Sequence, residues 1–245
     1  MERVALITGG GSGIGKAAGL KLAQAGWQVV LAGRRQNLLE EAASAHENLT
    51  PMAADVTLEN AVQTLFNEVT RRFGRLDLLF NNAGIFTPAT PFAGTTLERF
   101  TASLNVNVIG AFLCARAAFR IMAAQNPQGG RIINNGSISA HAPRPQAMPY
   151  TVAKHAITGL TRSISLEGRD CNIACGQIDI GNAATDLTAG IARGAMQANG
   201  TLTPEPVMDV EHAASSVLHM ASLPLSANVQ FMTIMATAMP YIGRG

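Results

Sequence analysis

The stretch Val4-Ala5-Leu6-Ile7-Thr8-Gly9-Gly10-Gly11-Ser12-Gly13-Ile14-Gly15 decides the fold. A short apolar run empties into a cluster of glycines, and helical spacing begins directly after it. A run without polar alternation is what a strand covered on both faces looks like. Glycines behind such a strand allow a tight turn and let the backbone approach a pyrophosphate, whose charge is met by amides at a helix N-terminus. A flexible turn would also use glycines. The strand before and the helix after favour a dinucleotide turn built from Gly9, Gly11, Ser12, Gly13, Ile14 and Gly15.

Outward from this unit the same rhythm repeats. Apolar runs at 28–32, 76–81, 131–135, 173–178 and 229–236, with a further run ahead of Asp55, alternate with helical spacing. The helical stretches are 13–25, 36–45, 58–72, 97–124, 149–169 and 209–221. Parallel strands need long crossovers, and crossovers are right-handed. The order therefore predicts an α/β fold, a Rossmann-like doubly wound parallel sheet with helices on both faces, in one domain spanning 1–245. Ligands of such sheets lie beyond the carboxyl ends of the strands. The segment 181–206, rich in Ala, Gly, Thr and Met and closed by Pro204 and Pro206, is too long for an ordinary connection and reads as a substrate lid.

Composition excludes several classes. With 245 residues, 47% hydrophobic, 14% charged and a net charge of +2, the chain is unlike a disordered one. The densest basic sites are the pairs Arg34-Arg35 and Arg71-Arg72, and 5% of residues are aromatic, so no nucleic-acid partner is expected. Cys114, Cys171 and Cys175 are odd in number and lack a C-x-x-C, which predicts buried small hydrophobes and no metal site. No signal-peptide pattern and no unbroken apolar run of membrane-spanning length is seen, so no membrane is expected and the setting is read as cytoplasmic.

The residues just after each run carry the chemistry. After the second run come Arg34 and Arg35, where an acidic residue would take the 2′-hydroxyl of NAD and guanidinium groups pair with the 2′-phosphate of NADP. NADP(H) is therefore the expected cofactor, with NAD(H) as the alternative; a solvated basic pair is the plain reading. Asp55 and Val56 suit either the adenine amino group or the start of the next helix. Asn82, Ala83 and Gly84 suit close packing beside a cofactor, as well as a turn. Tyr150 and Lys154 lie four apart, on one helix face. A phenol needs a nearby cation to act as acid or base near neutrality, and Lys154 can supply it. Ser137, thirteen residues before Tyr150 at the end of the fifth run, can bring a hydroxyl to the same carbonyl oxygen.

With these residues in order, the chain closely resembles the short-chain dehydrogenase/reductase family along essentially its whole length. The family's T-G-x-x-x-G-x-G turn matches Thr8, Gly9, Gly13, Ile14 and Gly15; its N-N-A-G matches Asn81 to Gly84. Its Y-x-x-x-K matches Tyr150 to Lys154, its serine Ser137 and its helix asparagine Asn107. The resemblance implies that Tyr150 exchanges a proton with the substrate oxygen while hydride passes to or from the nicotinamide. It implies that Lys154 binds the nicotinamide ribose and depresses the tyrosine pKa, that Ser137 polarises the carbonyl, and that Asn107 supports a water relay to Lys154. The family's proline after the sixth strand is replaced by Ile180, while Thr185 keeps its spacing and Asn182 adds a polar group near the nicotinamide.

The resemblance further implies a small alcohol or carbonyl substrate and a homotetramer or homodimer formed through the long fourth and fifth helices. Ala111, Ala115, Ala117, Ala118, Ala156 and Gly159 are the small residues expected to pack there. A 3-oxoacyl carrier-protein reductase is the nearest rival activity and would want a basic docking patch, for which Arg34, Arg144 and Arg193 are available. A non-catalytic dinucleotide-binding regulator is the alternative from another class. His141 and His155 flank the site as tuning or merely solvated residues, and Arg144 as an anion contact or a turn residue.

Overall fold

The computed structural model describes residues 2–190 and 194–242. Arg193, one of the basic residues considered for docking, lies outside the described residues. In chain order the elements are β1 (Val4–Thr8), α1 (Gly13–Gln24), β2 (Gln28–Gly33), α2 (Gln36–Ala43), β3 (Leu49–Ala53), α3 (Glu59–Phe73) and β4 (Leu78–Asn81). They continue with α4 (Leu97–Leu104), α5 (Ala111–Ala124), β5 (Gly130–Asn135), α6 (Met148–Glu167) and β6 (Ile173–Ile180). The short strands β7 (Ala195–Met196) and β8 (Leu202–Thr203), α7 (Val210–Ser222) and β9 (Phe231–Ile234) complete them.

The sheet has seven strands in the order β3-β2-β1-β4-β5-β6-β9, and every pairing in it is parallel. The period of two along a strand sends alternate side chains to opposite faces. Ala5 and Ile7 of β1 join the apolar layer beneath α1 and α7, while Val4 and Leu6 join the layer beneath α3 and α5. That is why β1 has no polar alternation: all five of its residues are buried. The chain moves outward from β1 to β3, then returns to the other side of β1 for β4. The crevice of this reversal opens at the carboxyl ends of β1 and β4, behind Thr8 and Asn81.

The reading of 97–124 as one plain helix needs correction. A π-helical turn, Asn105–Gly110, separates α4 from α5. Such turns add one residue to the hydrogen-bond loop and often mark functional sites. Here it buries Asn107 and seats Gly110 against Val56, where a Cβ would stand 2.8 Å from the Val56 Cγ2. The combined run Leu97–Ala124 is long and apolar enough by composition to cross a bilayer. It lies against the protein's own sheet, with Leu113, Cys114, Ala118 and Met122 buried in the core.

The small residues expected at a subunit contact divide. Ala111, Ala115 and Ala118 are buried inside the chain's own core, whereas Ala156 and Gly159 are exposed on α6. Large apolar side chains are exposed near them in sequence: Ile109, Phe112, Val152 and Leu166. The segment 181–206 contains a 3₁₀ turn, Asp186–Thr188, and the antiparallel β7–β8 pair.

Candidate active site

The glycine turn behaves as a cradle. Gly9 (φ +67°) and Gly13 (φ +52°) occupy the left-handed region, where a side chain is strained. A Cβ on Gly15 would overlap the carbonyl of Gly9 and stand 2.5 Å from the Asn82 Nδ2. Helix α1 then begins with no side-chain cap from Ser12 and no acidic residue in its first turn. Its N-terminal amides are thus left for an anion. Thr185, in the segment after β6, overhangs this turn, its Cγ2 3.2 Å from where a Gly13 Cβ would be.

Thr8 locks the turn to β4. Its Oγ1 accepts from the amides of Asn82 and Ala83, both at 2.9 Å. The Asn82 Nδ2 donates back to the Thr8 carbonyl at 2.9 Å, and its Oδ1 accepts from the Asn135 Nδ2 at 2.9 Å. Gly84 is required by the next contact, because a Cβ there would stand 2.7 Å from the Asn107 Oδ1. Asn107 grips Ile85 by both ends of its backbone, accepting from its N–H at 3.0 Å and donating to its C=O at 3.0 Å.

These elements wall a cleft of about 570 Å³ at the carboxyl end of the sheet. The structure brings to it Gly9, Gly11, Ser12, Gly13, Ile14, Arg34, Arg35, Asp55, Val56, Asn82, Ala83, Gly84, Asn107, Tyr150, Lys154 and Thr185. Arg34 and Arg35 are exposed at the end of β2. The Asp55 Oδ1 accepts from the Thr57 amide at 2.9 Å and hydroxyl at 2.7 Å, so it caps the turn ahead of α3 and not the helix itself, which starts at Glu59. The Thr57 amide holds the Asp55 carboxyl below its usual range, with the Thr57 hydroxyl and Arg34 adding to the effect.

Four residues expected at the site do not line this cleft. Gly15 lies buried beneath the turn. Ile180 is buried in the core layer under α1 and α7. Asn182 turns away into a polar cluster: its Oδ1 accepts from the Arg144 Nη2 at 2.9 Å, and its Nδ2 donates to the Glu205 Oε2 at 2.8 Å. Ser137 is buried behind the cleft wall, where its Oγ accepts from the Ser139 amide at 3.1 Å. Arg144 is not a solvent-facing turn residue, since its guanidinium also pairs with the nearly inaccessible Glu205 at 2.7 Å.

Tyr150 and Lys154 share a face of α6, the Lys154 Nζ 5.4 Å from the Tyr150 ring centroid. Phe86 packs against the same ring at 4.7 Å. Burial pushes the phenol up to about 12, opposed by a hydrogen bond with Ser137 and by the positive field of Arg144, while Asp179 adds to the rise. Burial also pushes the Lys154 ammonium down to about 8, against the pull of Asp179. A phenol, a hydroxyl and an ammonium grouped beside an open cleft are the parts that proton exchange with a substrate oxygen requires. Sequence reasoning missed Asp179 and Glu205; a carboxylate on the wholly buried β6 was the available signal for the first. Among the described residues no cluster of metal-ligating side chains occurs. Cys114 and Cys175 are buried, with thiols pushed up to about 12 by burial, and Cys171 is half-buried.

Comparison with known proteins follows the same lines. The chain is 32% identical over 224 residues to carbonyl reductase family member 4 of Xenopus tropicalis, covering 91% of this chain and 93% of that one. It is 38% identical over 172 residues to the uncharacterized oxidoreductase YohF of Escherichia coli K12, covering 68% and 67%. The crystal structure of acetoin dehydrogenase YohF from Salmonella typhimurium superposes with a TM-score of 0.82 at 32% identity, over 96% of this chain and 95% of that one. The family model for short chain dehydrogenase matches residues 3–195, and the chain belongs to that family of oxidoreductases.

Proposed function

We propose that the protein is an NADP(H)-preferring oxidoreductase that interconverts a secondary alcohol and a ketone or aldehyde. The observation that carries this reading is the placing of Tyr150 and Lys154 on one wall of a cleft, with Ser137 hydrogen-bonded to Tyr150 just behind that wall, while the other end of the cleft is a glycine cradle and a pair of arginines. The cradle fits a dinucleotide: side chains are excluded from Gly9, Gly13 and Gly15, and the uncapped amides of α1 suit its diphosphate. When bound, the nicotinamide supplies or receives the hydride.

The chain's own groups handle the proton. In the reductive direction the Tyr150 hydroxyl gives its proton to the carbonyl oxygen as the carbon accepts hydride; in the oxidative direction the phenolate takes it back. Ser137 donates to the same oxygen, its own Oγ being aligned by the Ser139 amide. Lys154 binds the nicotinamide ribose and, with Arg144, biases Tyr150 toward ionisation. Asn107 supports the route by which the proton is replaced. Arg34 and Arg35 read the 2′-phosphate, Asp55 and Val56 face the adenine, and residues 181–206 form the substrate flap. In this reading the enzyme works in the cytoplasm as a homodimer or homotetramer, joined through the exposed apolar side chains of α5 and α6.

Arg144 is committed to Glu205, which weakens the docking patch that a carrier-protein reductase would want. The experiment is a panel of ketones, aldehydes and secondary alcohols assayed with NADPH, NADH and their oxidised forms. Turnover with small carbonyls and NADPH is expected. Cofactor binding with no turnover across the panel would favour the regulator.

A further inference from the structure

Strand β6 is buried along its full length, yet it carries a carboxylate with no solvent exposure, Asp179. Buried carboxylates persist where donors meet them, and here donors converge from separate elements. The Asp179 Oδ1 accepts from the backbone amide of Ser137 at 2.9 Å and from the Gln177 Nε2 at 2.7 Å. Its Oδ2 pairs with the His141 Nε2 at 2.7 Å, and the imidazole is 43% exposed. The approach requires Gly136, where any Cβ would overlap the carboxylate oxygen. A glycine, an aspartate, a glutamine and a histidine thus form one construction around the amide of Ser137.

We infer that Asp179 is a positioning residue for the reaction: its carboxylate fixes the backbone of Ser137 and thereby the hydroxyl that meets the substrate oxygen. This inference rests on the oxidoreductase reading above. It stands on the hydrogen bonds of the Asp179 carboxylate, and the direction in which its charge acts on Tyr150 and Lys154 supplies the readout. The Asp179 charge raises both Lys154, which burial alone would lower further, and Tyr150. The titratable and charged groups around this centre are His141 on the loop after β5, Arg144 ahead of α6, and Tyr150 and Lys154 on α6; Thr233, the β9 partner of Asp179 in register, and Asn135, the last residue of β5, are neutral. Asp179 therefore holds the protonated forms of both groups in place.

The test is the pH profile of kcat/KM for Asp179→Asn, which keeps an acceptor for Ser137 and removes the charge. With the Asp179 charge gone, both groups lose their protons at lower pH. In carbonyl reduction the alkaline limb is expected to move toward acid by about one pH unit, and in alcohol oxidation both limbs are expected to move the same way. Asp179→Ser, smaller and uncharged, should show the same displacement. Unmoved limbs in folded, cofactor-binding variants would overturn the inference, as would loss of folded protein in both variants, because that would make Asp179 a fold-bearing residue only. A wild-type enzyme without turnover would instead remove the oxidoreductase reading beneath it.

Discussion

The Nζ of Lys154 donates to the carbonyl oxygen of Asn135 at 2.7 Å, tying α6 to the end of β5 two residues before Ser137. Lys154 is 5% exposed, so the bond is made at the expense of hydration. With Lys154 pushed from 10.5 down to about 8, the unfolded chain binds more protons than the folded one between those values. Stability from this group is therefore reduced below pH about 8 and rises with pH up to 10.5. Lys154→Met should abolish turnover, and the stability of the wild type relative to this variant should rise with pH between those values. Thermal melts of both proteins across that range check it. A stability difference that stays constant across that range would count against it.

Arg34 stands exposed at the end of β2, on the rim of the cleft, and its charge reaches Asp55. Replacing it by Asp sets a carboxylate where a ribose hydroxyl would favour one and a phosphate would not. Arg34→Asp should weaken NADPH binding about 10- to 100-fold more than NADH binding, a differential of about 1.4–2.8 kcal/mol. Fluorescence titration with the two reduced cofactors reads this directly. Equal losses would refute the assignment.

Arg144 and Glu205 are 10% and 1% exposed and pair at 2.7 Å, linking the loop before Tyr150 to the end of the segment 181–206. Burial pushes the Glu205 carboxyl up, but Arg144, Gln197 and Asn182 outweigh it and leave it below its ordinary value. Glu205→Ala leaves a guanidinium buried without its counter-charge and should cost about 3–5 kcal/mol. The pair replaced together by apolar residues, Arg144→Met with Glu205→Leu, should recover most of that loss. Chemical denaturation of the single and double variants measures both, and equal losses would contradict the pairing argument.

Much of this was legible because parallel strands buried on both faces have no alternation to interpret. β1, β2, β5 and β6 stand where the apolar runs predict, with ends shifted by one or two residues. β3 was harder to bound: Leu49–Ala53 contains Thr50 and Pro51, is only partly buried, and lies at the sheet edge, where an apolar run is not required. The π turn was invisible for another reason. The spacing of apolar residues does not record which carbonyl each amide selects, and Asn107 reads the same in an α or a π turn. Motif order brought Tyr150, Lys154 and the glycine turn to one cleft, but local sequence could not say that Asn182 would turn to Glu205, 23 residues away. Asp179 was overlooked because it follows an apolar run, although a carboxylate continuing a strand of that kind signals a buried partner.

If the Tyr150 hydroxyl carries the proton in the redox step, as proposed, Tyr150→Phe removes that proton and leaves the ring that packs against Phe86. Single-turnover reduction of a carbonyl substrate identified by the panel, with saturating NADPH, should slow by about 10²- to 10⁴-fold while NADPH affinity stays within about twofold. Turnover near the wild-type rate in the Phe variant would contradict it.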